Sequence, residues 1–217
     1  MIDLSLYRTA VFDFDGVILD SNQAKTDAFR TTLEGDPPEL IDRFIEYHKT
    51  NGGVSRYEKF RCYYRDILGM EAYDDAADDA VARFGEHSWN ALMSAAEIPG
   101  AVRALEILRA SGTPSYVVSG GAEHEVQKVV AARGLDPYFA SVHGSPTSKT
   151  EHLAALRDAG KLRNPGIYFG DARLDMEAAL AFGLTFVFIA GFSEWADGAR
   201  VCAERNCVTI NDFESLR

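Results

Sequence analysis

A chain of 217 residues, 47% hydrophobic and 25% charged, has the material for one large soluble domain or for a domain carrying a substantial insertion. Its formal charge of −11 argues against a nucleic-acid backbone or an anionic membrane surface as partner, and requires local positive charge if the ligand is itself an anion. Three cysteines (Cys62, Cys202, Cys207) without metal-ligand spacing fit a reducing compartment, and neither a signal peptide nor an apolar run of membrane-spanning length is evident, so the expected location is the cytoplasm.

The first predicted element is a short buried strand over residues 10–12, and Asp13-Phe14-Asp15-Gly16 arrives where it ends. Side chains two apart on extended backbone point the same way, so Asp13 and Asp15 present paired carboxylates. Two ionised acids side by side need a cation, a shared proton or full solvation, and hard oxygen ligands away from Cys or His favour Mg²⁺. Gly16 allows a turn and close approach of a ligand to the backbone.

Residues 22–98 then carry only helical patterns. The first helix, 24–33, is broken by Gly35-Asp36-Pro37-Pro38, and the second, 40–49, by Asn51-Gly52-Gly53. A third, 56–68, opens on Ser55 as N-cap with Glu58 three residues on. The fourth, 72–96, has Asp74, Asp75, Asp78 and Asp79 near its start, a solvated acidic face. From residue 99 helices alternate with short apolar strands: helices at 101–110, 122–133, 149–158 and 174–182, strands at 115–118, 139–142, 166–169 and 185–189, with an edge strand at 207–210. This predicts an α/β fold with a Rossmann-like parallel sheet, built from residues 1–19 and 98–217, and a helical insertion over 20–97.

Ligands of such sheets bind at the carboxyl ends of the strands. There the chain offers Asp13 and Asp15; Ser119-Gly120-Gly121, expected directly before a helix as an oxyanion cradle; Lys149; and Gly170-Asp171 with Asp175 one turn into the next helix. Each has a plainer reading: Ser119 as N-cap, Lys149 as a surface lysine, Asp171 and Asp175 as cap and solvent-facing acid. Their coincidence at successive strand ends argues for one site.

Asp13-Phe-Asp15-Gly16-Val17, Ser119, Lys149 and Gly170-Asp171 with Asp175 resemble the four motifs of the haloacid dehalogenase-like (HAD) phosphohydrolase superfamily, in order and over essentially the whole chain. The helical insertion is similar to the C1-type cap of phosphoglycolate phosphatase and β-phosphoglucomutase relatives. The resemblance implies that Asp13 is a nucleophile forming an aspartyl-phosphate and Asp15 the general acid and then base. Mg²⁺ would be held by Asp13, the Asp15 carbonyl and Asp171, with Asp175 as ligand or anchor, while Ser119 and Lys149 hold phosphoryl oxygens. Gly16 and Gly120 would line the substrate site.

The chain departs from the family where many C1-capped members have Lys-Pro: here it reads Ser148-Lys149-Thr150, which keeps the lysine but weakens kinship with phosphoglycolate phosphatase. Gly144-Ser-Pro-Thr-Ser-Lys-Thr-Glu151 is similar to phosphatases of surface-polysaccharide sugar metabolism. The second acid, Asp15, speaks against dehalogenation. In the cap, Gly53-Val54-Ser55-Arg56 resembles a mutase loop whose arginine holds a distal phosphate; Arg56 is read either in that role or as a solvated first-turn residue. Lys25 stands where that mutase has a histidine, and Asn22 is a similar candidate for substrate contact; both also admit a surface role. His124 and His143 read as structural. The resulting expectation is a Mg²⁺-dependent phosphatase of a small phosphorylated metabolite, a sugar or sugar-acid phosphate, with a phosphosugar mutase as the alternative. No nucleic-acid or membrane partner is expected, and the protein would be a monomer or homodimer.

Overall fold

The computed structural model describes residues 2–216. Strand β1 (Thr9–Phe12) is buried along its whole length, as a central strand covered on both faces must be. It lies between β2 (Ser115–Ala122) and β4 (Gly166–Gly170), and a six-stranded sheet runs in the order β3-β2-β1-β4-β5-β6, with β3 at Phe139–Ser145, β5 at Thr185–Ile189 and β6 at Val208–Ile210. All pairings are parallel, and Ala10 pairs with Ser115 on one side and Ile167 on the other. The order turns from one direction to the other at β1, so the end of this strand opens onto the crevice where doubly wound sheets bind ligands.

Period-two alternation divides the apolar side chains between two faces. Phe12, Val117, Val129, Phe169 and Phe213 belong to one cluster, and Val11, Tyr116, Leu153, Tyr168 and Phe186 to the other. The insertion between β1 and β2 comprises α1 (Asn22–Thr32), α2 (Pro38–Thr50), α3 (Arg56–Cys62) and α4 (Asp74–Ser94), and has its own apolar centre of Phe29, Phe44, Phe60, Tyr63 and Phe84. Phe29 and Phe84 stack with ring centroids 4.1 Å apart, joining α1 to α4. The remaining helices are α5 (Ala101–Ala110), α6 (Glu123–Ala132), α7 (Lys149–Asp158), α8 (Arg173–Ala181) and α9 (Gly198–Glu204). No helix among the described residues is long and apolar enough to cross a membrane.

The predicted elements are all present; β3 runs on to Ser145 and two short 3₁₀ turns are added, and three further differences stand out. The helix expected over 56–68 is α-helical only to Cys62; Tyr63–Ile67 form a π-helical turn closed by Leu68 N–H donating to Tyr63 O at 2.9 Å. Helix α9 is an addition, its seven residues too short to show a period. The third difference touches the site. Strand β2 does not stop at residue 118 but continues to Ala122, because Val118 pairs with His143 and Ala122 with Ser145. Residues 119–121 therefore stand opposite Gly144 alone, a bulge that pushes Ser119-Gly120-Gly121 out of the ladder toward the crevice.

Candidate active site

Asp13 follows directly on β1. Its N–H donates to Phe169 O on β4, and its Oδ1 accepts the Phe14 N–H at 2.7 Å, so the carboxylate is fixed by backbone on both sides. Lys149 Nζ lies 2.9 Å from its Oδ2. That lysine opens α7, whose start is set by a capping box: Ser148 Oγ accepts the Glu151 N–H, and the Ser148 N–H donates to Glu151 Oε2 at 2.9 Å. The Ser-Lys-Thr-Glu stretch that departs from the Lys-Pro pattern is thus a helix start that aims a buried ammonium inward.

Lys149 is anchored from behind by Asp175, whose Oδ1 accepts from it at 2.5 Å and from the Tyr168 hydroxyl at 3.0 Å. The other Asp175 oxygen accepts the Ala172 N–H at 3.1 Å. Both oxygens are engaged, so of the two roles expected for Asp175 the geometry favours the anchor. Asp171, just past β4, is held by Asn22 Nδ2 at 2.6 Å, and Asn22 also donates to Phe192 O at 2.9 Å. Ser193 Oγ donates to the Asp171 carbonyl at 2.5 Å. Gly16 has φ +69°, and a Cβ there would collide with both the Asp171 carboxylate and the Asn22 amide, so only glycine fits.

Asp13, Asp171 and Asp175 each bring a carboxylate oxygen within 4.8 Å of the other two, all buried. Burial, before any other cause, raises Asp13, and its neighbours Asp175 and Asp15 add to this against the pull of Lys149. Asp171 is raised well above the ordinary carboxylate value by burial, then by Asp13 and Asp175. Lys149, despite burial, is held above the ordinary lysine value by Asp13 and Asp175. One ammonium among three buried acids leaves negative charge uncompensated, and a divalent cation bound by hard oxygen would relieve it. The residues present therefore fit a metal ion.

Asp15 is held differently. Its Oδ1 accepts from Ser21 Oγ at 2.6 Å and its Oδ2 is paired with Lys25 from α1. Burial alone would raise it, but Lys25 and Ser21 prevail and keep its carboxyl below the ordinary value. Ser119 is corrected in one respect: it lies in strand β2, four residues before α6, and is not a helix-start residue. Its buried Oγ accepts the Gly121 N–H at 3.0 Å, bracing the bulge. A Cβ on Gly120 would meet Gly53 O, so the insertion's loop rests directly on this bulge.

Asp13, Asp15, Lys25, Arg56, Lys59 and Asp171 all face a cavity of about 80 Å³ between the strand ends and the insertion. The plainer readings of Lys149, Lys25 and Arg56 as surface side chains are excluded by burial or pairing. Arg56 is 4% exposed, pairs with Glu125 of α6 at 2.7 and 2.8 Å, and lies over the Phe84 ring. Lys59 and His48 were not legible beforehand: Lys59 Nζ is 2.7 Å from His48 Nδ1, and His48 Nε2 is 3.1 Å from Thr26 Oγ1, which donates to Glu194. Burial first, then nearby Lys25, lowers Lys59 to about 7, while burial and Lys59 drive His48 down to about 2, so His48 stays neutral. Glu194, which also pairs with Lys49 at 3.1 Å, follows β5 and was within reach of the same reading of strand ends.

A doubly wound sheet presenting buried acids and a buried lysine at its switch point, under a helical insertion, can hold a divalent cation and an anionic ligand side by side. The family model for haloacid dehalogenase-like hydrolases matches residues 7–183, and the chain belongs to that family. It is 28% identical to a phosphoglycolate phosphatase of Rhodospirillum rubrum over 223 aligned residues, covering 96% of this chain and 89% of the relative. In fold it is similar to a HAD hydrolase, family IA, variant 3 from Entamoeba histolytica (TM-score 0.76, 18% identity, 97% and 95% of the two chains). It also matches a hydrolase from Pseudomonas syringae (TM-score 0.75, 22% identity, 95% and 94%).

Proposed function

We propose that the chain is a Mg²⁺-dependent phosphatase of a small phosphorylated acid, working through an aspartyl-phosphate on Asp13. The observation that carries this is the pairing of Asp13 and Asp15, each beside its own lysine, on the wall of one small cavity. Mg²⁺, when bound by Asp13 and Asp171 and the Asp15 carbonyl, supplies positive charge to the phosphoryl oxygens. Asp13 Oδ attacks phosphorus as the ester P–O bond breaks, and the departing oxygen takes the proton of Asp15. Asp15, now ionised, removes a proton from water, which attacks phosphorus and releases Asp13 and inorganic phosphate. Lys149 and the Ser119 bulge hold the transferring oxygens. Because Lys25 keeps Asp15 ionised at rest, its ammonium must turn to the incoming phosphate before Asp15 can carry the proton.

The insertion acts as the cap, hinging near residues 17–22 and 96–100 to close over the strand ends and exclude water until the alcohol has left. The cavity suits a ligand of a few carbons, and of the cap lysines and arginines that line it, Lys59 alone is paired with no carboxylate among the described residues. That favours a substrate with a second anionic group, the acid end of the expected sugar or sugar-acid class; the phosphoglycolate named for the relatives has this form. The substrate is a diffusible metabolite of the cytoplasm, with neither nucleic acid nor membrane as partner, handled by a monomer or homodimer. The test is turnover of a panel of phosphorylated acids, sugars and alcohols with Mg²⁺. Preference for neutral alcohol phosphates would refute the acid reading, and turnover that requires a bisphosphate activator would replace hydrolysis by mutase chemistry.

A further inference from the structure

Outside the catalytic cavity, a second set of ligating side chains converges at the β3 edge of the sheet. Glu123, the first residue of α6, His143 of β3 and His152 of α7 each bring one ligand atom within 4.8 Å of the other two. The two imidazole rings have centroids 4.9 Å apart, and His152 Nε2 lies 3.9 Å from Glu123 Oε2. Each side chain is also oriented by a neighbour. The Gly144 carbonyl accepts from His152 Nε2 at 2.8 Å, the Gly144 N–H donates to Glu123 Oε2 at 3.0 Å, and Ser141 Oγ lies 2.7 Å from His143 Nε2. An ion bound through His152 Nε2 would exchange the hydrogen bond to the Gly144 carbonyl for a metal bond, while the Gly144 N–H and Ser141 keep Glu123 and His143 oriented as outer partners do.

Two imidazoles and a carboxylate are a borderline-soft donor set, unlike the all-oxygen set beside Asp13. We propose that Glu123, His143 and His152 form a second metal site, selective for Zn²⁺ or a similar transition-metal ion over Mg²⁺. In tetrahedral zinc with bonds of about 2.0–2.2 Å, ligand atoms sit roughly 3.4 Å apart, so the three side chains need draw in by only about 1 Å. An open groove lined by Glu123, Gln127, Ser141 and His143 gives an ion access from solvent.

The placement gives the ion a consequence. Glu123 begins the helix directly after the Ser119–Ala122 bulge, and His152 lies three residues past Lys149 on α7. A bound ion would clamp together the two segments that carry the phosphate-facing residues, and would stabilise the folded chain by mass action.

The test titrates ZnCl₂, and CoCl₂ as its spectroscopic counterpart, into the full chain with Mg²⁺ in large excess to occupy the oxygen site. The expected result is one retained equivalent, visible Co²⁺ absorption of the nitrogen-ligated kind, and a melting temperature that climbs with zinc. His143→Gln and Glu123→Gln should weaken zinc binding at least ten-fold and abolish the zinc-dependent rise. The second of these keeps an acceptor for the Gly144 N–H, which guards against simple misfolding. Asp171→Asn should leave all three signals intact. Unchanged zinc affinity in both glutamine variants, or loss of the retained zinc in Asp171→Asn alone, would overturn the proposal.

Discussion

The acids at the strand ends and the cations of the insertion face each other across one small cavity, yet they are held in opposite ways. Asp13 and Asp175 take their orientation from backbone N–H groups and Lys149 of the core, although Asp171 and Asp15 are also held by α1 of the insertion, through Asn22 and Lys25. Arg56, Lys25 and Lys49 are oriented by acids from the other side: Glu125, Asp15 and Glu194. Asp13 and Asp175 therefore keep their partners whatever the insertion does, whereas Asp15, Asp171 and the cap cations have theirs only when the insertion lies against the core. On the proposed function, the nucleophile belongs to the sheet, while substrate selection belongs to the closed arrangement.

The largest test of that division is Asp13→Asn. Turnover should fall by at least about 10³-fold on every substrate, because the residue is asked to form the covalent bond. The melting temperature should hold or rise, since one member of a crowded set of buried acids loses its charge. Lys149→Met should lower both activity and stability. Breaking a buried pair leaves Asp13 and Asp175 without their cation, a cost of about 3–5 kcal/mol in denaturant unfolding. Bound Mg²⁺ should restore part of that stability.

On the insertion side the effects should be smaller and substrate-dependent. Arg56→Ala removes a pair that ties α3 to α6, and should cost on the order of 2 kcal/mol, below the range for a fully buried pair because Glu125 is partly exposed. It should raise KM for the true substrate while hardly changing turnover of a small aryl phosphate; equal losses on both would refute the separation of chemistry from selectivity. Glu125→Gln is the sharper variant, since it frees the guanidinium for substrate without deleting it.

Lys59→Met should have the smallest effect on turnover, read as a KM increase of about ten-fold for acid substrates. Its pH dependence has a definite sign. The ammonium is ordinary in the unfolded chain, at 10.5, and lowered to about 7 when folded, so between those values the unfolded chain binds more protons. The burial penalty is therefore full below pH 7 and fades as pH rises toward 10.5. Lys59→Met should raise the free energy of unfolding more at pH 6 than at pH 9, by a few kcal/mol at most. In the parent enzyme KM for an acid substrate should climb from pH 7 to 9 as Lys59 loses its proton, and in the variant it should stay flat.

By itself the sequence determined the alternation of strands and helices, the point of insertion and the acids and lysine that end successive strands. These are local properties: period two against period three and a half, turn residues, and a ligand rule that depends only on strand direction. The tertiary structure decided what local pattern cannot carry. Ser119 became part of a bulge because β3 supplies one residue where β2 supplies three. Arg56 became a buried link because Glu125, 69 residues away, meets it. Lys59 acquired its lowered affinity for a proton from burial beside His48. Pairing and burial across the chain are set by packing, and a residue's charge state at such a place depends on neighbours that no window of sequence contains.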